Sequence, residues 1–376
     1  MCTILSPSLA MSMNVSFGIF IPRLFAIAAV KATAPGAVKL YGEHVVLYGR
    51  SSAAIAVNMR AKAYVRDSDA KGIEFKLDDL EKSEAFTAGQ LHELFLKYKS
   101  FKDDKSAKIG DFVASATDSG VSAQVLPYAI IAGRIMEEFG TEISGKSVSI
   151  NSDIPMGKGF ASSAACSVAF AAAMAKSLGI NMPNETFIDI ARDGERIVHK
   201  NSLAGKIDVN SSFYGGCVVY NDSNGVRRED VPKNMNMLVV DTGPKKPTSE
   251  TVATVRSRLE KDEAGTKRIF DMIEECTGNG IEALKKGDML SVGRYMYRNQ
   301  ELLRDLGVSN DGLESVVMQS KEFGAYGAKL SGGGGGGIAI VLSNGSSELS
   351  STFSSHGLTV YEVNISDTGV QTGTLN

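Results

Sequence analysis

The chain has 376 residues, 43% apolar and 22% charged, with a formal net charge of −3 at pH 7. That length exceeds what one hydrophobic core usually organises, so two domains are expected, and the composition is that of a soluble globular protein. The signs are interspersed and no basic stripe is visible, which argues against nucleic acid as a partner but leaves room for a small anion at a local positive site.

The run 15-VSFGIFIPRLFAIAAV-30 is apolar but broken by Pro22 and Arg23. It is short for a membrane span and lacks the positive leading segment of a secretory signal. Residues 1–29 are therefore read as an extension outside the fold, with a membrane anchor as the competing reading. Next, 31-KATAPGAVKLYGEHVVLYG-49 reads as strand, turn, strand, and 54–67 as a further strand. Residues 78–118 are polar, with helical patches. Apolar residues recur at helical spacing from Pro127 to Phe139, and Gly140 ends that helix. A half-buried strand follows at 146–154. A glycine-rich turn then leads into a long alanine-rich helix bounded by Gly179, and an amphipathic helix covers 184–200.

The stretch 214–222 reads as a strand, and a domain boundary is placed near 222-DSNGVRREDVPKN-234, where turn formers and charges cluster. A buried strand restarts at 235–243. Helices are expected at about 248–262, 264–286, 288–306 and 309–324. Strands follow at 338–342 and near 358–365, and the tail after Ser366 reads as loose. Cys2, Cys166, Cys217 and Cys276 lie far apart and form no CxxC, so they read as free thiols in a reducing compartment.

Two glycine-rich segments carry the chemistry. In 155-PMGKGFASSAA-165, Gly157 and Gly159 permit a tight turn, and Ser162 and Ser163 fall in the first turn of a helix. Free N–H groups and the helix dipole make such a terminus an anion site, although an N-capped core helix has the same look. The run Gly332–Gly337 is followed at once by the apolar strand 338-IAIVL-342, unlike a linker, which suggests a close approach of ligand to backbone. Glu43 and His44 sit between the two strands of 31–49. Glu195 and His199 share one helix face, and Asp208 precedes an apolar-aromatic strand as a candidate base. A solvated helix face and a turn aspartate are the bland readings of these three.

Together, 34-APGAVKLYGEHVVLYG-49, 155-PMGKGFASSAA-165, 194-GERIVHKNSLAGKID-208 and 329-KLSGGGGGGI-338 resemble the GHMP kinase superfamily. Their order and spacing are most like its mevalonate kinase branch. The segment 241-DTGPKKPTSETV-252 is similar to that branch's threonine-rich substrate segment. The resemblance implies an α+β GHMP kinase fold. A ribosomal-protein-S5-domain-2-like N-terminal domain over 30–228 would bind ATP. A ferredoxin-like domain over 229–376 would close the cleft. Pro155, Gly157, Lys158, Gly159, Ala161, Ser162 and Ser163 would cradle the triphosphate. Ser163 and Glu195 would hold Mg²⁺, and Asp208 would take the proton of the attacking hydroxyl. Glu43, His44, Thr248, Gly332, Gly333 and Gly334 would face the substrate.

The implied activity is ATP- and Mg²⁺-dependent phosphorylation of the 5-hydroxyl of mevalonate, in the cytoplasm, on the way to isoprenoids. Neither nucleic acid nor membrane is implied as a partner, and a homodimer is compatible with the reading. Three departures stand out. The family lysine of APGK is Ala37 here, and Lys39, two residues on along the same strand face, is the expected substitute. The alternative is that aspartate and metal act without a lysine. The family's PSG before the aspartate is 203-LAG-205, with the Glu195–Asp208 spacing two residues longer, and LGSS has become 160-FASS-163. These leave open another small-molecule kinase of the superfamily, acting on a sugar or on phosphomevalonate, and a catalytically weakened nucleotide-binding regulator.

Overall fold

The computed structural model describes residues 29–375 apart from 105 and 234. Cys2 and the expected extension lie outside the described residues, save Ala29, which opens the first strand.

Strands β1 (Ala29–Tyr41) and β2 (Ser52–Asp67) form a long antiparallel pair. Pro35 has no N–H to give, and it falls at a shift in register between Pro35 and Ala37. The expected second strand at 45–49 is instead a single 3-10 turn, Val45–Tyr48. His44 enters it at φ 64° and Gly49 leaves it at φ 76°, so positive φ at both ends folds the segment back on itself.

Strands β3 (Ile73–Leu77) and β4 (Lys82–Phe86) form a hairpin. Helices α1 (Ala88–Asp103), α2 (Ile109–Asp118) and α3 (Leu126–Phe139) follow, then β5 (Lys146–Ser152). Helices α4 (Ser162–Ser177), α5 (Asn184–His199) and α6 (Lys206–Tyr214) lead to the hairpin of β6 (Cys217–Asn221) and β7 (Gly225–Glu229). The cluster of turn formers near 222 is thus the bend of a hairpin. β8 (Met237–Asp241) begins a second sheet. Helices α7 (Thr248–Lys261), α8 (Glu263–Lys285), α9 (Met289–Asp305) and α10 (Asp311–Glu322) intervene. The chain ends with β9 (Gly327–Ser331), β10 (Ile338–Leu342), α11 (Ser347–Ser355), β11 (Thr359–Val363) and β12 (Gln371–Leu375).

The first sheet runs β12-β1-β2-β5-β3-β4, with β6 also on β2 and β7 on β6. The second is antiparallel in the order β11-β8-β10-β9, the ferredoxin-like arrangement. The tail expected to be loose is β12, which pairs antiparallel with β1.

Strands β8, β9 and β10 of the second sheet are buried on both faces, which is why β8 and β10 read as unbroken apolar runs. Met237, Val239, Ile338, Ile340 and Leu342 join the core cluster of the first sheet. Their neighbours Leu238, Val240, Ala339 and Val341 face the other way, into a cluster with α8, α9 and α10. One strand alternation therefore binds the two halves of the molecule together.

Candidate active site

The glycine-rich turn and the start of α4 form one wall. Gly157 and Gly159 adopt φ 70° and 85°, and Ala161 precedes α4 in the left-handed region at φ 54°. No side chain caps that terminus, so the first N–H groups of α4 remain available to an anion. The Phe160 carbonyl accepts the Ala37 N–H at 2.9 Å, which ties the turn to β1. A Cβ on Gly159 would lie 3.2 Å from the Ile338 side chain, so the two glycine-rich segments meet here. Ser162 Oγ is 3.5 Å from Ser152 Oγ.

A charged pair lies on β1 and α6, which both pack against α4. Asp208 lies in the first turn of α6, and this helix separates it from the strand expected to follow it directly. Gly205 caps α6 at φ 78°, and a Cβ there would be 2.7 Å from Cβ of Glu195. Glycine is what lets α6 start against α5. Lys39 Nζ lies 3.3 Å from each Asp208 carboxylate oxygen, with both side chains part-exposed. The β1–β2 ladder is regular from Ala37 to Lys39, so Lys39 projects on the same face as Ala37. Burial works against the Lys39 charge, but Asp208, and after it Glu43 and Glu195, outweigh it and hold the ammonium above the usual lysine range.

Glu195 is 1% exposed, not on a solvated face. One of its oxygens, Oε1, is buried with no partner, and the other lies 3.3 Å from His199 Nε2. That hydrogen bond is the main cause of an imidazole pKa above the ordinary histidine value. Next to Glu195 on α5, the missing Cβ of Gly194 lets Ser167 of α4 approach, one turn beyond Ser163. Asp193 is fully buried and bonded to Tyr98 at 2.7 Å and Lys102 at 3.1 Å, with Arg134 and Arg196 also on it. This ion cluster anchors the helix that carries Glu195.

Glu43 and His44 connect β1 to the second sheet. Glu43 is 1% exposed and forms an ion pair with Lys329 of β9, which is fully buried. Burial pulls the Lys329 ammonium below its usual range and Glu43 resists that. His44 Nε2 lies 2.9 Å from the Gly333 carbonyl. Burial pushes its pKa down to about 4, so the ring is neutral near pH 7 and its Nε2–H donates to that oxygen. Ser331 Oγ accepts the Lys39 N–H at 2.9 Å and donates to the Lys39 carbonyl at 3.0 Å.

The six glycines have an intramolecular reason. A Cβ would lie 2.8 Å from Thr248 Oγ1 at Gly333, 2.1 Å from the Val308 oxygen at Gly334 and 2.2 Å from the Pro244 oxygen at Gly336. The run is pressed against 244–248 and 308, and only Gly332, at φ 90°, faces open space. Lys246 N–H donates to Gly335 O at 3.1 Å and Thr242 N–H to Gly337 O at 2.7 Å. Between this loop and the glycine-rich turn lies a cleft of about 400 Å³, lined by Gly157, Lys158, Asp241, Lys245 and Gly337 among others.

The structure thus brings Lys39, Asp208 and Glu195 near one another, and His44, Gly333 and Thr248 together on the second sheet's side. Sequence reasoning missed Ser331, Asp241 and Lys245, and it gave Lys329 no role. The signal for Lys245 was present in 244-PKKPT-248, read only for its threonine.

Comparison with known proteins follows the same lines. The family model described as GHMP kinases N terminal domain matches residues 126–216, and the one described as GHMP kinases C terminal matches 281–352. A mevalonate kinase of Pyrococcus abyssi is 31% identical over 330 residues, covering 86% of this chain and 90% of that one. The crystal structure of Methanococcus jannaschii mevalonate kinase superposes with a TM-score of 0.72 at 23% identity, covering 89% of this chain and 98% of the other. That of L. major mevalonate kinase in complex with R-mevalonate gives 0.66 at 22%, covering 90% and 96%.

Proposed function

The chain belongs to the mevalonate kinase family of the GHMP kinases, and from that membership we propose that it transfers the γ-phosphoryl group of ATP to the 5-hydroxyl of mevalonate. The observation that carries this reading is the contact between Lys39 and Asp208 at 3.3 Å, on β1 and α6, the two elements that pack against α4 with its uncapped start. The α4 N–H groups and the glycine-rich turn bind the triphosphate. Asp208 orients the substrate hydroxyl and takes its proton as the phosphorus–oxygen bond forms. Lys39 lies beside Asp208, where its charge would favour the alkoxide-like oxygen and offset the negative charge of the phosphoryl oxygens.

The residues present fit a Mg²⁺ ion. Glu195 offers a buried carboxylate oxygen without a partner, and Ser163 offers a hydroxyl at the start of α4. No three His, Cys, Asp or Glu side chains form a preformed cage among the described residues, which suits an ion held partly by phosphate and water oxygens. Such an ion would neutralise phosphate charge. A cytoplasmic setting is supported by the three buried free thiols Cys166, Cys217 and Cys276. Among the described residues no helix is long and apolar enough to cross a membrane.

The test is ATP turnover by purified protein with Mg²⁺ on mevalonate, phosphomevalonate, galactose and homoserine. Phosphorylation of mevalonate, lowered about 10²–10⁴-fold by Asp208→Ala, supports the proposal. Turnover on another alcohol moves the chain to a sister activity. Nucleotide binding without turnover makes it a regulator.

A further inference from the structure

Two lysines line the cleft, and a third, Lys39, lies close enough for its charge to act on Lys245. Lys39 comes from β1, Lys158 from the glycine-rich turn and Lys245 from the loop after β8. Two of them already have partners. Lys39 is paired with Asp208, and Lys158 Nζ lies 2.6 Å from Asp241. Asp241 is fixed in turn, since its Oδ1 accepts the Gly243 N–H at 2.9 Å. Lys245 has no carboxylate within ion-pair distance among the described residues. Its stem packs on the glycine run, where a Cβ on Gly337 would lie 3.3 Å from Lys245 Cδ. That contact, and the Lys246–Gly335 and Thr242–Gly337 hydrogen bonds beside it, hold the loop in place.

Partial desolvation is the largest influence lowering the Lys245 ammonium below its usual range. Asp241 opposes the shift, and the nearby charges of Lys158 and Lys39 add to it. A cation close to two other cations and lacking its own counter-ion is destabilised until an anion arrives. The cleft it lines also contains Gly157 and Lys158 of the triphosphate-binding turn. The other nearby cation, Lys39, is the partner of Asp208.

We propose that Lys245 binds the terminal phosphoryl group of the nucleotide and so lets the protein distinguish a nucleoside triphosphate from a diphosphate. This rests on the kinase reading above and adds a residue to it. Lys245 reaches across from the second sheet, so phosphoryl binding also joins the two walls of the cleft.

The experiment measures nucleotide affinity directly, without the hydroxy acid, for ADP and a non-hydrolysable ATP analogue. Wild type is compared with Lys245→Ala, Lys245→Arg and Lys246→Ala. Lys246→Ala removes the same charge from the next residue, which is not among those lining the cleft. Both lysines are exposed, so each variant is expected to fold, and a thermal melt checks it. For Lys245→Ala the analogue is expected to bind about tenfold or more weakly while ADP stays within about twofold. Lys245→Arg should keep most of the preference, and Lys246→Ala all of it. Equal loss for ADP and analogue, no loss, or the same loss from Lys246→Ala overturns the assignment. Wild-type protein that binds neither nucleotide overturns the kinase reading as well.

Discussion

At the scale of single residues, the informative position is 37. The family lysine is absent there, and alternation along β1 puts Lys39 on the same face, against Asp208. If Lys39 has taken over that role, Lys39→Ala should lower turnover about a hundredfold or more with little change in folding. The double variant Ala37→Lys/Lys39→Ala should recover at least about tenfold of it. A steady-state comparison of the two decides, and no recovery would mean that the site depends on the exact place of the ammonium. His44 yields a pH prediction. The unfolded imidazole takes its proton near 6.5, the folded one near 4. Between those values the unfolded state binds more protons, so this contribution is whole above pH 6.5 and is lost as pH falls towards 4. It amounts to about 3 kcal/mol. His44→Gln should flatten the fall in denaturation midpoint between pH 6.5 and 4.5. The Lys39 face was legible in the sequence because strand alternation is a local rule. The burial of Glu43 was not, because its partner Lys329 is far along the chain and only the fold brings them together.

At the scale of elements, periodicity served the long helices well. The alanine-rich α4 and the helices α7 to α10 lie close to where spacing put them. Short strands with an apolar run, such as β8 and β10, were found too, but other short elements were missed. The helix α6 has nine residues, and its sequence 206-KIDVNSSFY-214 has too few turns to set a period. The run Gly332–Gly337 was recognisable as special, but its cause was not, since the atoms that exclude side chains belong to 244–248 and Val308. Two substitutions separate strain from collision. Gly332→Ala meets open space and should cost about 1–2 kcal/mol of left-handed strain. Gly334→Ala adds an impact on the Val308 carbonyl and should cost about 3 kcal/mol or more. Equal melting temperatures for the two would contradict the packing described here.

At the scale of the whole molecule, the two sheets are joined by a shared apolar face and by the buried pair of Glu43 and Lys329. Removing one partner strands the other's charge, so Glu43→Leu or Lys329→Met alone should each cost about 3–5 kcal/mol. The double variant should cost much less than the sum. A double-mutant cycle in denaturant measures the coupling, and additive losses would show that the pair is not coupled.

The seating of β12 beside β1 bears on how the protein is made. A ribosome releases β1 early, yet the neighbour for its outer edge appears only after the entire second sheet has been synthesised. Until then β1 presents a row of unpaired backbone groups, the kind of edge that recruits strands from other chains. Closing it late links residues at opposite ends of the described chain, a contact with a long loop to close and therefore slow to form. Newly made protein should thus be most association-prone from the formation of the β1–β2 pair until β12 docks.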